Sequence, residues 1–357
     1  MVKNDIATSS AAPPANDTTL GFLRSMLLQR RFEEKAAEAY AIGKIGGFCH
    51  LYIGQEAIST AAMSVLRPDD YVITAYRDHA LALERGMTPR EVMAELFGRA
   101  AGCAGGKGGS MHMFDSDLNF LGGHGIVGGH LPIATGVGFA IKYRGGDQVC
   151  ICFFGEAAVN IGAFHEALNM ASLWNLPVIY VIENNGYGMG TAVARATAQQ
   201  NVRERAESYA MIGVSVDGQD VLTVRNAMAE AVERARTEKR PTLLEVCTTR
   251  FVGHSMSDAA SGTYRSKEEL ERALQRDPIT LLKDRLKSDG ALNDEEFTRM
   301  DEDARAAAQD AWDFADAAPE PAPEELFTHV LSDAIGSEAT SYGMTSKVEE
   351  QPAEAAR

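Results

Sequence analysis

Two stretches decide the fold, QVCICFFGE at 148–156 and PVIYVIENN at 177–185. Each is a short apolar run closed by polar residues, the length and composition of a strand buried on both faces. Between them IGAFHEALNMASLWN, at 161–175, repeats apolar residues at helical spacing, with Phe164, Leu168, Ala171 and Leu173 near one face. A strand, a helix and a strand of these lengths make a right-handed crossover between parallel strands. Both strands then end at the same edge of the sheet, Glu156 closing the first and Asn184–Asn185 the second. If neighbours, they lie about 5 Å apart, at the carboxyl edge where open α/β sheets bind ligands.

Working outward, LGFLRSMLLQRRFEEKAAEAYA at 20–41 reads as a helix of strong helix formers, and a second helix is expected near 55–65. YVITAY at 71–76 is a short strand ending in Arg77, Asp78 and His79. TPREVMAELFGR at 88–99 has a Thr N-cap, Pro at the first helical position and an early Glu. VLTVRNAMAEAVERART at 221–237 is helical and PTLLEVCTTRF at 241–251 a strand; after Ser266 the chain turns helical and charged. The expectation is an α/β fold, a parallel central sheet flanked by helices with a helical C-terminal extension. A tail at 1–17, one domain over 18–336 and a polar tail at 337–357 are the expected divisions.

Two glycine-rich segments interrupt this pattern. GRAAGCAGGKGGSMHMF, 98–114, holds six glycines between Gly98 and Gly109, yet Lys107 is followed by Gly rather than Ser or Thr, so it is no Walker A loop. It reads as a mobile or ligand-covering loop. GGHGIVGGHLPIATGVGFAIKY, 122–143, reads as a turn into a helix that Gly136 and Gly138 would let pack closely.

A formal net charge of −16 sets the chain against nucleic acid and anionic membrane, whose phosphates its field would repel. No run approaches the ~18 apolar residues of a membrane span, and the N-terminus has neither a signal-peptide core nor the arginines of a transit peptide. The five cysteines show no CxxC pair and no zinc spacing. Cys150 and Cys152 share one strand face as core residues, and a reducing cytoplasm is expected.

At the strand ends, a carboxylate, an amide oxygen and a nearby carbonyl suit Mg²⁺ or Ca²⁺, and Mg²⁺ completes its shell with substrate phosphates and water. Backbone N–H groups from Ala157 and Ala158 onward would meet a phosphate at a helix start. On spacing alone, Glu156 could equally be a solvated acid and Asn184–Asn185 an ordinary turn.

The pair GEAAVN and ENNGYGMG is similar to the thiamine-diphosphate fingerprint. GGFCHLYIGQEA, ITAYRDH, MAELFGR, GGKGGSMHMF, GGHGIVG, EALNMASLWNLPVIYVIENNGYGMGT, VDGQD and GHSMSD together resemble the α subunits of the decarboxylating component of pyruvate dehydrogenase complexes. The blocks run in family order from about 20 to 326.

The resemblance implies a thiamine-diphosphate-binding fold of the diphosphate-binding type and a thiamine diphosphate–Mg²⁺ site. Asn185 and the carbonyl of Tyr187 would ligate the metal, with Glu156 where the family has aspartate. Tyr76 and Arg77 would bind the diphosphate, an arginine fork suiting phosphate geometry. The backbone around Gly125 and Val127, with Ala157 and Ala158, would line the cofactor. His50 and His254 would face the substrate end and the diphosphate as cofactor-binding and catalytic groups. His124 is a further lining candidate, and Arg265 is read either as organising its loop or as solvated.

The implied activity is oxidative decarboxylation of pyruvate, with the acetyl group passing to a lipoyl arm of a dihydrolipoyl acetyltransferase core. No second thiamine-type domain fits after residue 266, so the family's pyrimidine-binding half would come from a separate β subunit in an α₂β₂ heterotetramer. An α subunit of an acetoin or another 2-oxo acid dehydrogenase is the alternative, or a non-catalytic homologue with impaired metal binding. Ser255 and Ser257 resemble phosphorylated positions of some members, and no regulation is expected.

Three departures stand out. Glu156 is one methylene longer than aspartate, enough to move a ligand oxygen by more than about 1 Å. Ala157 puts a methyl where the family has glycine, at a place of close approach or left-handed backbone. DAASGTYR, 258–265, is one residue longer than the corresponding family loop.

Overall fold

A computed structural model describes residues 16–258 and 265–328. Most of the expected N-terminal tail, all of 337–357 and the core of the lengthened DAASGTYR loop lie outside the described residues. In chain order come α1 (Asn16–Ala41), α2 (Glu56–Met63), β1 (Tyr71–Ala75), α3 (His79–Arg85), α4 (Pro89–Leu96), β2 (Phe120–His124) and α5 (His130–Tyr143). Then follow β3 (Cys150–Gly155), α6 (Gly162–Leu173), β4 (Val178–Asn184), the small hairpin β5 (Tyr187–Gly188) and β6 (Thr191–Ala192), and α7 (Val193–Ala196). β7 (Ile212–Asp217), α8 (Val221–Thr237), β8 (Thr242–Cys247), α9 (Lys267–Leu274), α10 (Pro278–Ser288) and α11 (Asp294–Ala317) complete the first compact unit, which runs to Glu320. From Pro321 a second unit begins, with a 3₁₀ turn at Pro323–Phe327.

Six strands form one parallel sheet in the order β2-β1-β3-β4-β8-β7. The two-residue period of a strand sends alternate side chains to opposite faces. Cys150, Cys152 and Phe154 of β3, with Val178, Tyr180 and Ile182 of β4, join one core under α5 and α6. Ile151, Phe153, Ile179 and Val181 join the other, larger core, which draws on α1 to α4, α8, α10 and α11. Burying both faces requires runs that are apolar throughout, as these strands are.

Local signals place the helices. Thr88 caps α4 in a reciprocal capping box with Glu91, and Pro89 opens the helix. Asp220, Asp277 and Asn293 accept backbone N–H groups at the starts of α8, α10 and α11. On α6, Phe164, Leu168 and Ala171 are buried as the pattern predicts, whereas Leu173 is 70% exposed, because it lies off the i, i+4, i+7 line. Of the two glycines in α5, only Gly138 serves close packing: a Cβ there would lie 2.4 Å from Val178 Cγ2, while Gly136 faces open space.

Two strands escape sequence periodicity. β2 overlaps the start of the glycine-rich segment read as a turn, and it pairs with β1 through a register shift between Val72 and Thr74. Gly123 is obligatory there, since a Cβ would sit 1.8 Å from Asp78 Oδ2. β7 is an edge strand whose residues are mostly half-buried.

The loop over 98–114 is wrapped around a buried acid. Glu95 Oε2 accepts the N–H groups of Ala104 (2.8 Å) and Gly106 (2.9 Å), and Oε1 those of Gly108 (2.7 Å) and Gly109 (3.0 Å). Residues without Cβ let the backbone curl this tightly round a carboxylate.

From β1 the chain moves to β2 on one side, and from β3 to β4 on the other. Connections that diverge from two adjacent strands open a crevice at their carboxyl ends. Tyr76 and Arg77 follow β1 at that crevice, and Glu156 follows β3.

Candidate functional site

A cleft at this edge is lined by Gln55, Tyr76, Arg77, Glu156, Ala157, Glu183, Asn185, Tyr187, Arg250 and His254, among others. Four parallel strand ends deliver most of them, because β1, β3, β4 and β8 are in register along the sheet, and Gln55 comes from the turn before α2. Glu183 pairs with Gly155, so Glu156 and Asn185 leave neighbouring strands within one or two residues of each other.

Gly155 is extended (φ −77°, ψ 158°) and leads into a 3₁₀ turn, Glu156–Asn160, ahead of α6. Oε2 of Glu156 accepts the backbone N–H of Asn185 at 3.4 Å. Oε1 of Glu156 and Oδ1 of Asn185 are both buried with no hydrogen-bond partner among the described residues. Burial pushes the Glu156 carboxyl above its usual range, against the pull of backbone N–H groups and of Arg250 and Arg77. Two orphaned oxygens lining one cleft fit a divalent cation. Among the described residues no three His, Cys, Asp or Glu side chains gather as a metal cluster, so a metal here would rest on one carboxylate, an amide and backbone oxygen.

The Ala157 methyl is accommodated without left-handed backbone, as Ala157 is not among the positive-φ residues. It packs where Gly188 has no side chain: a Cβ on Gly188 would lie 2.6 Å from Ala157 Cβ.

Arg77 is buried and donates from Nη1 to the carbonyl of Leu51 (2.6 Å) and from Nη2 to that of His254 (2.9 Å). Burial, with the Arg250 guanidinium beside it, lowers Arg77 to about 10. Arg250 is 1% exposed, with Nε on the carbonyl of Val252 at 3.1 Å. Two guanidiniums this close together suit a dianionic group such as a diphosphate.

His50, Tyr76 and His254 form an aromatic group, with ring centroids 4.6 Å apart for His50–Tyr76, 5.1 Å for His50–His254 and 5.7 Å for Tyr76–His254. Burial and Arg77 push His50 down to about 2 and His254 to about 4, so both imidazoles are neutral near pH 7. His50 Nδ1 is buried without a partner.

Arg265 is 2% exposed and organises its surroundings. It donates to the carbonyls of Arg250 and of Asn185, the latter at 3.2 Å, and its guanidinium lies 5.1 Å from the centre of the Tyr187 ring. The solvated alternative for this side chain is set aside by its burial.

Of the residues picked from sequence, the cleft gathers Tyr76, Arg77, Glu156, Ala157, Asn185, Tyr187 and His254, and His50 stands against Tyr76 and His254. Ala158 is a buried residue of the 3₁₀ turn and does not line the cleft. Gly125 and Val127 lie between β2 and α5, outside the lining of the cleft, with Val127 48% exposed. His124 stacks on His130 at 5.6 Å, also away from it.

Sequence reasoning missed Gln55, Glu183 and Arg250. Gln55 Oε1 is a further buried orphan, and Glu183 accepts the Tyr52 hydroxyl while burial raises its carboxyl to about 7. All three sit in or beside quoted blocks, GQEA, IENN and TTRFVGH, but in sequence they look like surface polar residues.

The model for the family described as "Dehydrogenase E1 component" matches residues 24–324. The chain is 48% identical over 330 residues to the pyruvate dehydrogenase E1 component subunit alpha of Rhizobium meliloti (strain 1021), covering 92% of this chain and 94% of that protein. It is 45% identical over 317 residues to the protein of the same name from Rickettsia bellii (strain RML369-C), covering 89% and 97%. It is 44% identical over 336 residues to the mitochondrial subunit alpha of Sminthopsis macroura, covering 92% and 91%. With one model spanning most of its length and relatives matched nearly end to end, this chain belongs to the dehydrogenase E1 component family.

Proposed function

We propose that this chain is the α subunit of a pyruvate dehydrogenase E1 component, working with thiamine diphosphate, Mg²⁺ and a separate β subunit. The observation that carries the reading is the juxtaposition of two buried guanidiniums, Arg77 and Arg250, with the orphaned oxygens of Glu156 and Asn185 in one cleft. That set offers cationic partners for a diphosphate and oxygen ligands for the ion that bridges to it. The relatives' name supplies the substrate, pyruvate, and favours it over acetoin and other 2-oxo acids.

Thiamine diphosphate, when bound, supplies the carbon nucleophile for the keto group of the 2-oxo acid and the electron sink for loss of CO₂. The chain's own residues bind and orient. Arg77 neutralises diphosphate charge while its bonds to Leu51 and His254 keep the guanidinium in place. Glu156, Asn185 and the carbonyl of Tyr187 would hold Mg²⁺. Tyr76, Ala157 and Ala158, with Gly125 and Val127, are proposed to lie along the cofactor. His50 and His254, neutral in their cationic surroundings, can donate or accept a hydrogen bond to the substrate.

The cleft encloses only about 50 Å³, against the several hundred typical of a small-molecule site. That small volume supports a site in which this chain supplies one wall and a β subunit the other, in a proposed α₂β₂ assembly that would feed acetyl groups to a lipoyl-bearing acetyltransferase core. No helix among the described residues is long and apolar enough to cross a membrane, and a cytoplasmic location is proposed. One domain over 18–336 between two tails is likewise a proposal, which limited proteolysis tests.

The deciding experiment is co-expression with the β subunit and assay of pyruvate-dependent reduction of an artificial electron acceptor. Saturable activation by thiamine diphosphate and Mg²⁺ is expected, with pyruvate preferred over branched 2-oxo acids and acetoin. Activity without either cofactor, or preference for acetoin, overturns the reading.

A further inference from the structure

A closed polar circuit runs beneath the segment that carries His50. The backbone N–H of Tyr52 donates to Glu33 Oε1 at 2.9 Å, and Glu33 Oε2 lies 2.9 Å from His79 Nδ1. His79 Nε2 lies 2.9 Å from Ser110 Oγ, which also accepts the backbone N–H of His50 at 3.3 Å. The circuit starts and ends two residues apart on one strip of backbone, and joins α1, the start of α3 and the turn at Gly109–Met111. Every member is buried.

A serine, a histidine and a carboxylate in this order form the relay of a nucleophilic hydrolase. That use is closed here, because Ser110 is 4% exposed and its oxygen already accepts from the His50 backbone. Glu33 only accepts, so His79 Nδ1 carries a hydrogen. Burial would lower the His79 pKa, but Glu33 outweighs it and holds the ring above the ordinary histidine value. Polar groups fully removed from water are costly unless their bonds are made, and here the far ends of the circuit are spent on residues 50 and 52.

We propose that Glu33, His79 and Ser110 are positioning residues for catalysis: they clamp the His50–Tyr52 backbone from below and so fix where the His50 imidazole meets the substrate. The proposal rests on His50 belonging to the site. Misplacing a reacting-site group by about 1 Å costs up to a hundredfold in rate, and the clamp acts on the backbone that carries the ring.

The test compares Ser110→Ala, His50→Ala and the double variant in the assembled αβ enzyme. Ser110→Ala is expected to lower kcat about tenfold, with thiamine diphosphate affinity within about twofold of wild type and no further loss when added to His50→Ala. An unchanged kcat, or losses that multiply in the double variant, overturns the proposal. A normal kcat in His50→Ala instead removes His50 from the site and takes the proposal with it, while Arg77 variants still test the site itself. Should Ser110→Ala fail to assemble, Ser110→Cys, close in shape but a weak acceptor, carries the same comparison.

Discussion

Asn185 gives its backbone N–H to Glu156 Oε2 across 3.4 Å, and that bond ties the carboxyl ends of β3 and β4 into one corner. The contact fixes the Glu156 carboxylate, and Glu156 Oε1 and Asn185 Oδ1 are left as buried acceptors without a donor among the described residues. In the proposed role, a cation would satisfy both.

Glu156→Gln keeps the shape and removes the charge. Thiamine diphosphate affinity in Mg²⁺, read by titration calorimetry on the αβ assembly, is expected to fall about a hundredfold, with the apo melting temperature unchanged or raised. Unaltered affinity would show that this carboxylate holds no metal.

Arg77→Met removes a charge-assisted partner of the diphosphate and the anchor for the His254 carbonyl. A loss of about 2–3 kcal/mol in cofactor binding is expected, seen as a Kd for thiamine diphosphate raised by one to two orders of magnitude. Free thiamine, which lacks the phosphates, should bind the variant and the wild type alike.

Asp78 is fully buried, with Oδ2 on the Met113 N–H at 3.1 Å, and burial lifts its carboxyl to about 7. An aspartate in the unfolded chain titrates near 3.9. Stability from the proton held in the folded state is therefore complete below about pH 4 and is lost as pH rises through about 7. Asn does not titrate, so Asp78→Asn should gain melting temperature relative to wild type between pH 5 and pH 8, by a few degrees. Parallel melting curves at the two pH values would contradict this.

Glu95→Ala strips the acceptor from four backbone N–H groups of the 104–109 loop. Each unsatisfied donor costs about 1–3 kcal/mol if it stays buried, so the loop is expected to open rather than bear that cost. Faster amide hydrogen exchange and new proteolytic cleavage confined to 98–114 are the expected signs. Glu95→Gln, which keeps one oxygen, should fall between the two.

The strands that build the sheet centre were readable because burial on both faces demands unbroken apolar runs, and β3 and β4 have them. β2 was not, since Gly122 and Gly123 erase its pattern, and only pairing with β1 and contact with Asp78 make it a strand. The glycine-rich loop over 98–114 was read from composition as mobile or ligand-covering, while the carboxylate that gathers its N–H groups sits outside it, on α4.

By itself, the sequence determined the parallel α/β frame and put an acid and two amides at one sheet edge, because strand periodicity and crossover handedness are local rules. The tertiary structure alone decided which polar residues face that edge from afar: Gln55 before α2, Arg250 after β8, and the Glu33–His79–Ser110 circuit under His50. An arginine or glutamate reads the same in sequence whether solvated or buried. Its role is set by the desolvation and charge partners that only the packed chain brings within a few ångströms.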